Sequence, residues 1–195
     1  MTKNAYADRV HFSRTLSRRL LLGSMAAAGA LAIGPRFAAA DAEMDADAAA
    51  ALKKLYASNE GARVLGEKAK GILVFPTIAK GGFMIGAAYG EGTLLVNGKA
   101  AGYYSSAAAS YGLQIGVQRF SYVLFLMTDN AMQYIDKSDG WEIGVGPSIV
   151  VADEGFAKKA TTTTLQAEIY AFIFGQQGLM AGLGIEGTKV TRINR

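Results

Sequence analysis

The chain has 195 residues, with 20 Lys and Arg against 16 Asp and Glu, a single His and no Cys, a length that fits one domain or at most two. Without Cys there is no thiol nucleophile and no disulfide, and with one His a histidine triad or ordinary zinc site has almost nothing to work with. The formal charge of +4 is a property of where the bases lie, as the first forty residues show.

Those residues hold Lys3, Arg9, Arg14, Arg18, Arg19 and Arg36 against one acid, Asp8. An apolar run follows over 20–34, then Ala38, Ala39 and Ala40. A basic start, a short apolar middle and an A-x-A site have the layout of an export signal. The run is shorter than the roughly 20 apolar residues that span a membrane. Ser17-Arg18-Arg19-Leu20 resembles the twin-arginine motif, with its paired Arg just before the apolar run. The expectation is therefore a signal peptide over 1–40, cut after Ala40 or alternatively Ala42, and a single domain over 41–195 in the periplasm or cell envelope. That cut removes six of the 20 bases and one of the 16 acids, leaving 14 against 15. It also removes His11. A basic face for nucleic acid is thus not expected, and neither a metal nor a cofactor is.

Residues 41–51 are acidic and Ala-rich, and Leu52, Leu55, Ala62, Leu65 and Ala69 recur on one side of a 3.6-residue wheel. This predicts a helix or a broken helix pair over 46–69, with Ser58 as the cap of the second segment and Gly61 as a weak point. From Gly71 the period changes to two. Residues 72–75 read as a strand ended by Pro76. Phe83, Ile85, Ala87 and Tyr89 alternate with Gly82, Gly86 and Gly90. Asn97-Gly98 after 93–96 signals a hairpin turn. Residues 113–117 alternate with Gly112 and Gly116, 122–127 read as a continuous apolar strand, and Thr128 or Asp129 caps a helix to about 136. Strands are predicted at 143–151, 168–174, 179–185 and 189–193, with a loop over 153–164. The Gly-faced strands suit a coiled sheet, and a slot for an acyl chain under the Gly faces is the functional alternative to simple curvature. The fold class expected is α+β, a coiled antiparallel or barrel-like sheet with an N-terminal helix or helix pair packed on it.

Catalytic chemistry finds little support. The G-x-G spacings at 82–86 and 182–184 lie within alternating strands and not in the strand–turn–helix unit a dinucleotide needs. The carboxylates Glu91, Asp129, Asp136, Asp139, Glu142, Asp153, Glu154 and Glu186 fall mostly in turns and at caps. Lys53, Lys54, Arg63, Lys68, Lys70 and Lys80 face only Glu60 and Glu67 over 53–80, a local excess of +4. An apolar stripe flanked by Lys and Arg suits the surface of an anionic bilayer, and suits equally a core helix with a wet side.

The strings Lys68-Ala-Lys-Gly-Ile-Leu-Val-Phe-Pro76, Lys80-Gly-Gly-Phe83 with Tyr89-Gly-Glu-Gly92, Gly112-Leu-Gln-Ile-Gly-Val-Gln118, Met127-Thr-Asp129 and the run over 178–187 together resemble the SYLF domain, in order and spacing, across 45–193. Tyr103-Tyr104 stands where the family usually has Trp. The resemblance implies a non-enzymatic lipid-binding domain that touches membrane through its N-terminal helix, whose family also includes actin-binding members. The ligand it implies here is an anionic phospholipid or other envelope lipid. An envelope domain that is structural or binds a protein partner, with incidental lipid affinity, is the other reading.

Overall fold

In the computed structural model the described residues are 19–83, 85–111, 116–137, 140–152, 166–178, 185 and 187–195. The chain divides into two units, Met1–Ala39 and Ala40–Arg195, and the second contains the eight strands and both apolar cores of the described residues. Among the described residues no helix is long and apolar enough to cross a membrane. Arg18 lies outside the described residues, and Arg19 is the first residue of helix α1 (Arg19–Ser58).

The helix pair forms as the apolar stripe requires, with a break one residue later than predicted. Ser58 does not cap the second helix, because its hydroxyl donates back to the carbonyls of Lys54 and Leu55. Asn59 takes that place: its backbone is extended and its side-chain oxygen accepts from the amide of Ala62 at 3.0 Å, starting α2 (Glu60–Lys68). Gly61 is buried in the first turn of α2 and is no break point. Ala69 ends α2 in extended conformation, and the amide of Lys70 bonds to Leu126 at 2.8 Å, delivering the chain into the sheet.

The sheet comprises β1 (Gly71–Phe83), β2 (Ile85–Val96), β3 (Lys99–Tyr111), β4 (Gly116–Leu126), β5 (Trp141–Glu142), β6 (Ile149–Ala152), β7 (Ile169–Gly178) and β8 (Lys189–Ile193), in the order β5-β8-β3-β2-β1-β4-β7-β6. It is the expected curled sheet of an α+β fold. All pairs are antiparallel except β6 with β7. Asn97 and Gly98 both have positive φ, 52° and 73°, and turn β2 into β3 as the dipeptide foretold. Thr128 caps α3 (Asp129–Ile135) by accepting from the amide of Ala131.

Three strand expectations are corrected. β1 does not stop at Pro76. The register against β4 shifts between Phe75 and Ile78, so proline sits in a bulge that needs no ladder donor from it. The bulky-and-Gly stretch 83–89 is extended as expected but is not one strand, since β1 ends at Phe83 and β2 begins at Ile85, with Phe83 opposite Ile85 and Gly82 opposite Gly86. The stretch 143–151 is not one strand, because Gly144 and Gly146 take φ of 103° and 101° between β5 and β6. The predicted loop at 153–164 and most of the predicted strand at 179–185 lie outside the described residues.

The two faces of the sheet carry separate cores. Leu73, Phe75, Ile78, Tyr122, Leu124 and Leu126 point one way, toward α3, Trp141 and Ile143. Phe75 stacks on Tyr122 with centroids 4.6 Å apart, and the buried Tyr122 hydroxyl donates to Ser106 at 2.7 Å. Val74, Val123, Phe125, Tyr170 and Phe172 point the other way and receive Ala48 and Leu55 of α1 and Ala62 and Leu65 of α2. Asp45 fixes the helix on that face by accepting from Thr93 at 3.2 Å and Tyr103 at 3.4 Å.

Candidate lipid-facing site

The predicted cations separate once their surroundings are seen. Lys53, Lys54 and Lys68 are exposed, and none of them has a carboxylate partner among the described residues. Arg63 is held between Glu60 and Glu67 of its own helix. The bond with Arg63 lowers the Glu60 carboxyl from its ordinary value and raises the guanidinium. Lys70 pairs with Asp129 at the start of α3. Lys80 stands in register with Gln118, whose buried carboxamide oxygen has no hydrogen-bond partner among the described residues, and so belongs to the sheet face away from α1 and α2. The six residues therefore do not form one row.

The apolar stripe of the helix pair is inside the protein. Leu55, Ala62 and Leu65 are at most 2 % exposed, and Tyr56 stacks on Phe125 beside them. A helix whose apolar side is already spent on the sheet has only its charged side to offer a membrane.

Lys54 has a neighbour that sequence reasoning missed. Together with Arg119 of β4 it lines a recess of about 250 Å³ whose remaining walls are Pro76, Thr77, Ser121 and Gly175 among others, with no carboxylate among the described residues. The bulge at Pro76 makes this space, and the Ser121 hydroxyl secures it by donating to the Pro76 carbonyl at 2.7 Å. Gly175, with φ 66°, faces the Lys54 ammonium. A second recess of about 420 Å³ shares Lys54 and Gly175 and runs along Leu55, Ala152, Phe172 and Phe174. Arg119 directly follows the motif string ending at Gln118, but only the strand register sets it on the helix-bearing face.

From Arg119 that face continues beyond the helices. Arg119 lies opposite Ala79 and Gln177, and Val117 opposite Gly81. Gly81 in turn faces Ala87, which faces Ala109, and Tyr89 lies between Ala79 and Ala107. Phe83, Ile85 and Val117 are 68, 66 and 68 % exposed and Tyr89 53 %.

The opposite, Gly-lined face has no acyl slot at Gly90 and Gly92. A methyl group added at either would meet a carbonyl oxygen of β1 at 2.3 Å, and the side chains of Ile78 and Phe75 close over them. Three of the carboxylates considered for catalysis are occupied by cations: Asp129 by Lys70, Asp136 by Arg192 and Glu91 by Arg195. Asp136 also accepts from Tyr104. Asp139, Asp153, Glu154 and Glu186 lie outside the described residues. Among the described residues no group of three or more His, Asp or Glu is placed to hold a metal.

A curled sheet backed by a helix pair, with a cationic recess and an apolar face, defines a domain built around surfaces. Residues 107–194 match the family described as Ysc84, Las17-binding protein actin regulator. That is the SYLF family which the motifs resemble, and over these residues the chain is similar to it. No curated protein matches the chain in sequence.

Proposed function

We propose that this chain is a non-enzymatic domain that docks on anionic lipid of the cell envelope, after export directed by the twin-arginine-like start. The observation that carries this reading is the Lys54–Arg119 recess, lined by two cations and, among the described residues, by no carboxylate. An ammonium and a guanidinium side by side are suited to a phosphodiester headgroup, the guanidinium supplying a planar fork and the ammonium a point charge. Lys53 and Lys68, exposed on the same helix pair, add long-range attraction. Docking is electrostatic at the helices, since their apolar side chains stay in the core. The family's description names a protein partner and actin regulation, and a protein partner is the reading that failure of lipid binding would favour.

The test is co-sedimentation of residues 40–195 with vesicles of phosphatidylcholine alone or mixed with phosphatidylglycerol, at low and moderate salt. Each basic residue near an anionic surface contributes about 1 kcal/mol. Lys54→Gln with Arg119→Gln is therefore expected to weaken binding to the anionic vesicles by roughly thirtyfold. Arg63→Gln, which removes an already paired cation, is expected to change it far less. Equal binding by neutral and anionic vesicles, or by the double variant and the parent, would refute the reading.

A further inference from the structure

We infer that the uncovered end of the helix-bearing sheet face, the β1–β2 hairpin tip with Phe83, Ile85 and Val117, is a wedge that enters the acyl region of an anionic bilayer. The inference rests on the reading above and deepens it, by assigning insertion to the sheet and leaving the helices outside the lipid.

The first argument is the side chains themselves. Tyr89, Phe83, Ile85 and Val117 share one face through the register of β2, β1 and β4 and are all more than half exposed. The positions between them are small: Ala79, Gly81, Ala87, Ala107 and Ala109. Four such side chains at these exposures leave roughly 400–500 Å² of apolar surface in water, in the range where a patch on a monomer commonly has a function. It is well short of the about 800 Å² per partner that a stable interface between copies buries, and it sits where β1 turns into β2.

The second argument is charge. Around the tip, across 77–90, 105–111, 116–121 and 174–178, the described residues include Lys80 and Arg119 and no acid. The nearest acid along β2 is Glu91, which accepts from Tyr89 and is paired with Arg195. Arg119 is two residues from Val117 on the same face and also lines the recess with Lys54. Apolar side chains at a tip, with cations directly behind them, are the arrangement that places hydrocarbon below phosphate and ammonium or guanidinium level with it. Neutral lipid would leave those cations without a counter-charge, so the occupant is an anionic bilayer.

The experiment introduces Phe83→Trp into residues 40–195, with Lys99→Trp beside the Asn97-Gly98 turn at the opposite end of the strands as the comparison. Trp141 is 1 % exposed and gives a constant background. On anionic vesicles the tryptophan at 83 is expected to shift to the blue and to be quenched by lipids brominated in the acyl chain, while that at 99 keeps the emission of water. Phe83→Asp with Ile85→Asp, both at exposed positions, is expected to fold normally and to weaken binding by about tenfold or more. Salt-sensitive binding with no blue shift or quenching at 83 would overturn the wedge and leave the docking function standing. Absence of binding to every vesicle would overturn both. A blue shift at 83 without lipid, rising with protein concentration together with a doubled mass, would overturn the wedge in favour of a second copy of the chain.

Discussion

Replacing Leu65 with Ala separates a core helix from a membrane helix. Leu65 is 0 % exposed and belongs to the cluster with Leu55, Ala62, Val74, Val123 and Phe125. Truncating a fully buried Leu removes its transfer free energy and leaves a cavity, about 2–5 kcal/mol together. The better helix propensity of Ala returns only a few tenths of that. For a folded unit of this size each kcal/mol lowers the melting temperature by about 2–4 °C, so Leu65→Ala should lower it by roughly 4–20 °C. Leu52, half-buried at the edge of the same cluster, should cost less than half as much. The assay is thermal and urea unfolding of both variants, followed by vesicle binding below their melting temperatures, where the affinity of Leu65→Ala should equal the parent's. A variant as stable as the parent but deficient in vesicle binding would show that α2 leaves the sheet for the lipid, and the packing argument would fail.

Gly90→Ala should destabilise by about 1–3 kcal/mol, because the new methyl meets the Thr77 carbonyl at 2.3 Å and backbone cannot yield as a side chain does. Gly102→Ala, whose nearest neighbour would be 3.4 Å away, should unfold within about 0.5 kcal/mol of the parent in the same urea titration. Glu168 accepts from Asn130 at 2.7 Å, from the Ser148 amide at 3.1 Å and from Thr128 at 3.2 Å, and these bonds, that of Asn130 foremost, hold its carboxyl below the ordinary value. A depressed folded-state pKa stabilises above the unfolded value of about 4.3 and ceases to do so as pH falls through the folded value. Urea midpoints of the parent and Glu168→Gln should therefore differ at pH 7 and converge in acid. A gap that stays constant with pH would refute that role.

The helix pair was legible because Leu55, Ala62 and Leu65 repeat with helical spacing, and the hairpin at Asn97-Gly98 because few residue pairs accept positive φ in succession. The face that stripe meets was not legible. Sheet and bilayer impose the same periodicity, and only the presence of Val74, Phe125 and Phe172 opposite it decides. β3 escaped notice because its Ala, Ser and Gly residues give no bulky alternation, although Tyr104 and Ser106 are buried from it. Pro76 looked like a strand end because a bulge depends on the partner strand's register and leaves no local mark. Ser58 and Asn59 are both good caps, and the choice between them rests on where the backbone turns extended. Arg119 and Phe83 had the right chemistry on view, but whether a strand residue is covered depends on where a helix lies across the sheet.

The position of α1 also explains how a unit of nearly balanced charge can have an electrostatic preference. Its acidic stretch over 41–47 lies by β2, β3 and the chain end, where Asp45 meets Thr93 and Tyr103 and Asp41 meets Arg195 at 3.6 Å. Its basic end lies by β4 and β7, where Lys54 faces Gly175 and shares a recess with Arg119. The helix thus crosses the sheet with acids on one side and cations on the other. Surface charges act over about a Debye length, roughly 8–10 Å in physiological salt, so an approaching bilayer senses the nearer group of charges and not their sum. On the proposed reading, the β4–β7 side would be the one drawn toward anionic lipid. Because Val117 and Arg119 share a strand and a face, an orientation that brought the recess to the phosphates would also lower the apolar tip toward the hydrocarbon. On that reading charge would select the lipid and the approach, and the tip would hold the domain there once salt has screened the attraction.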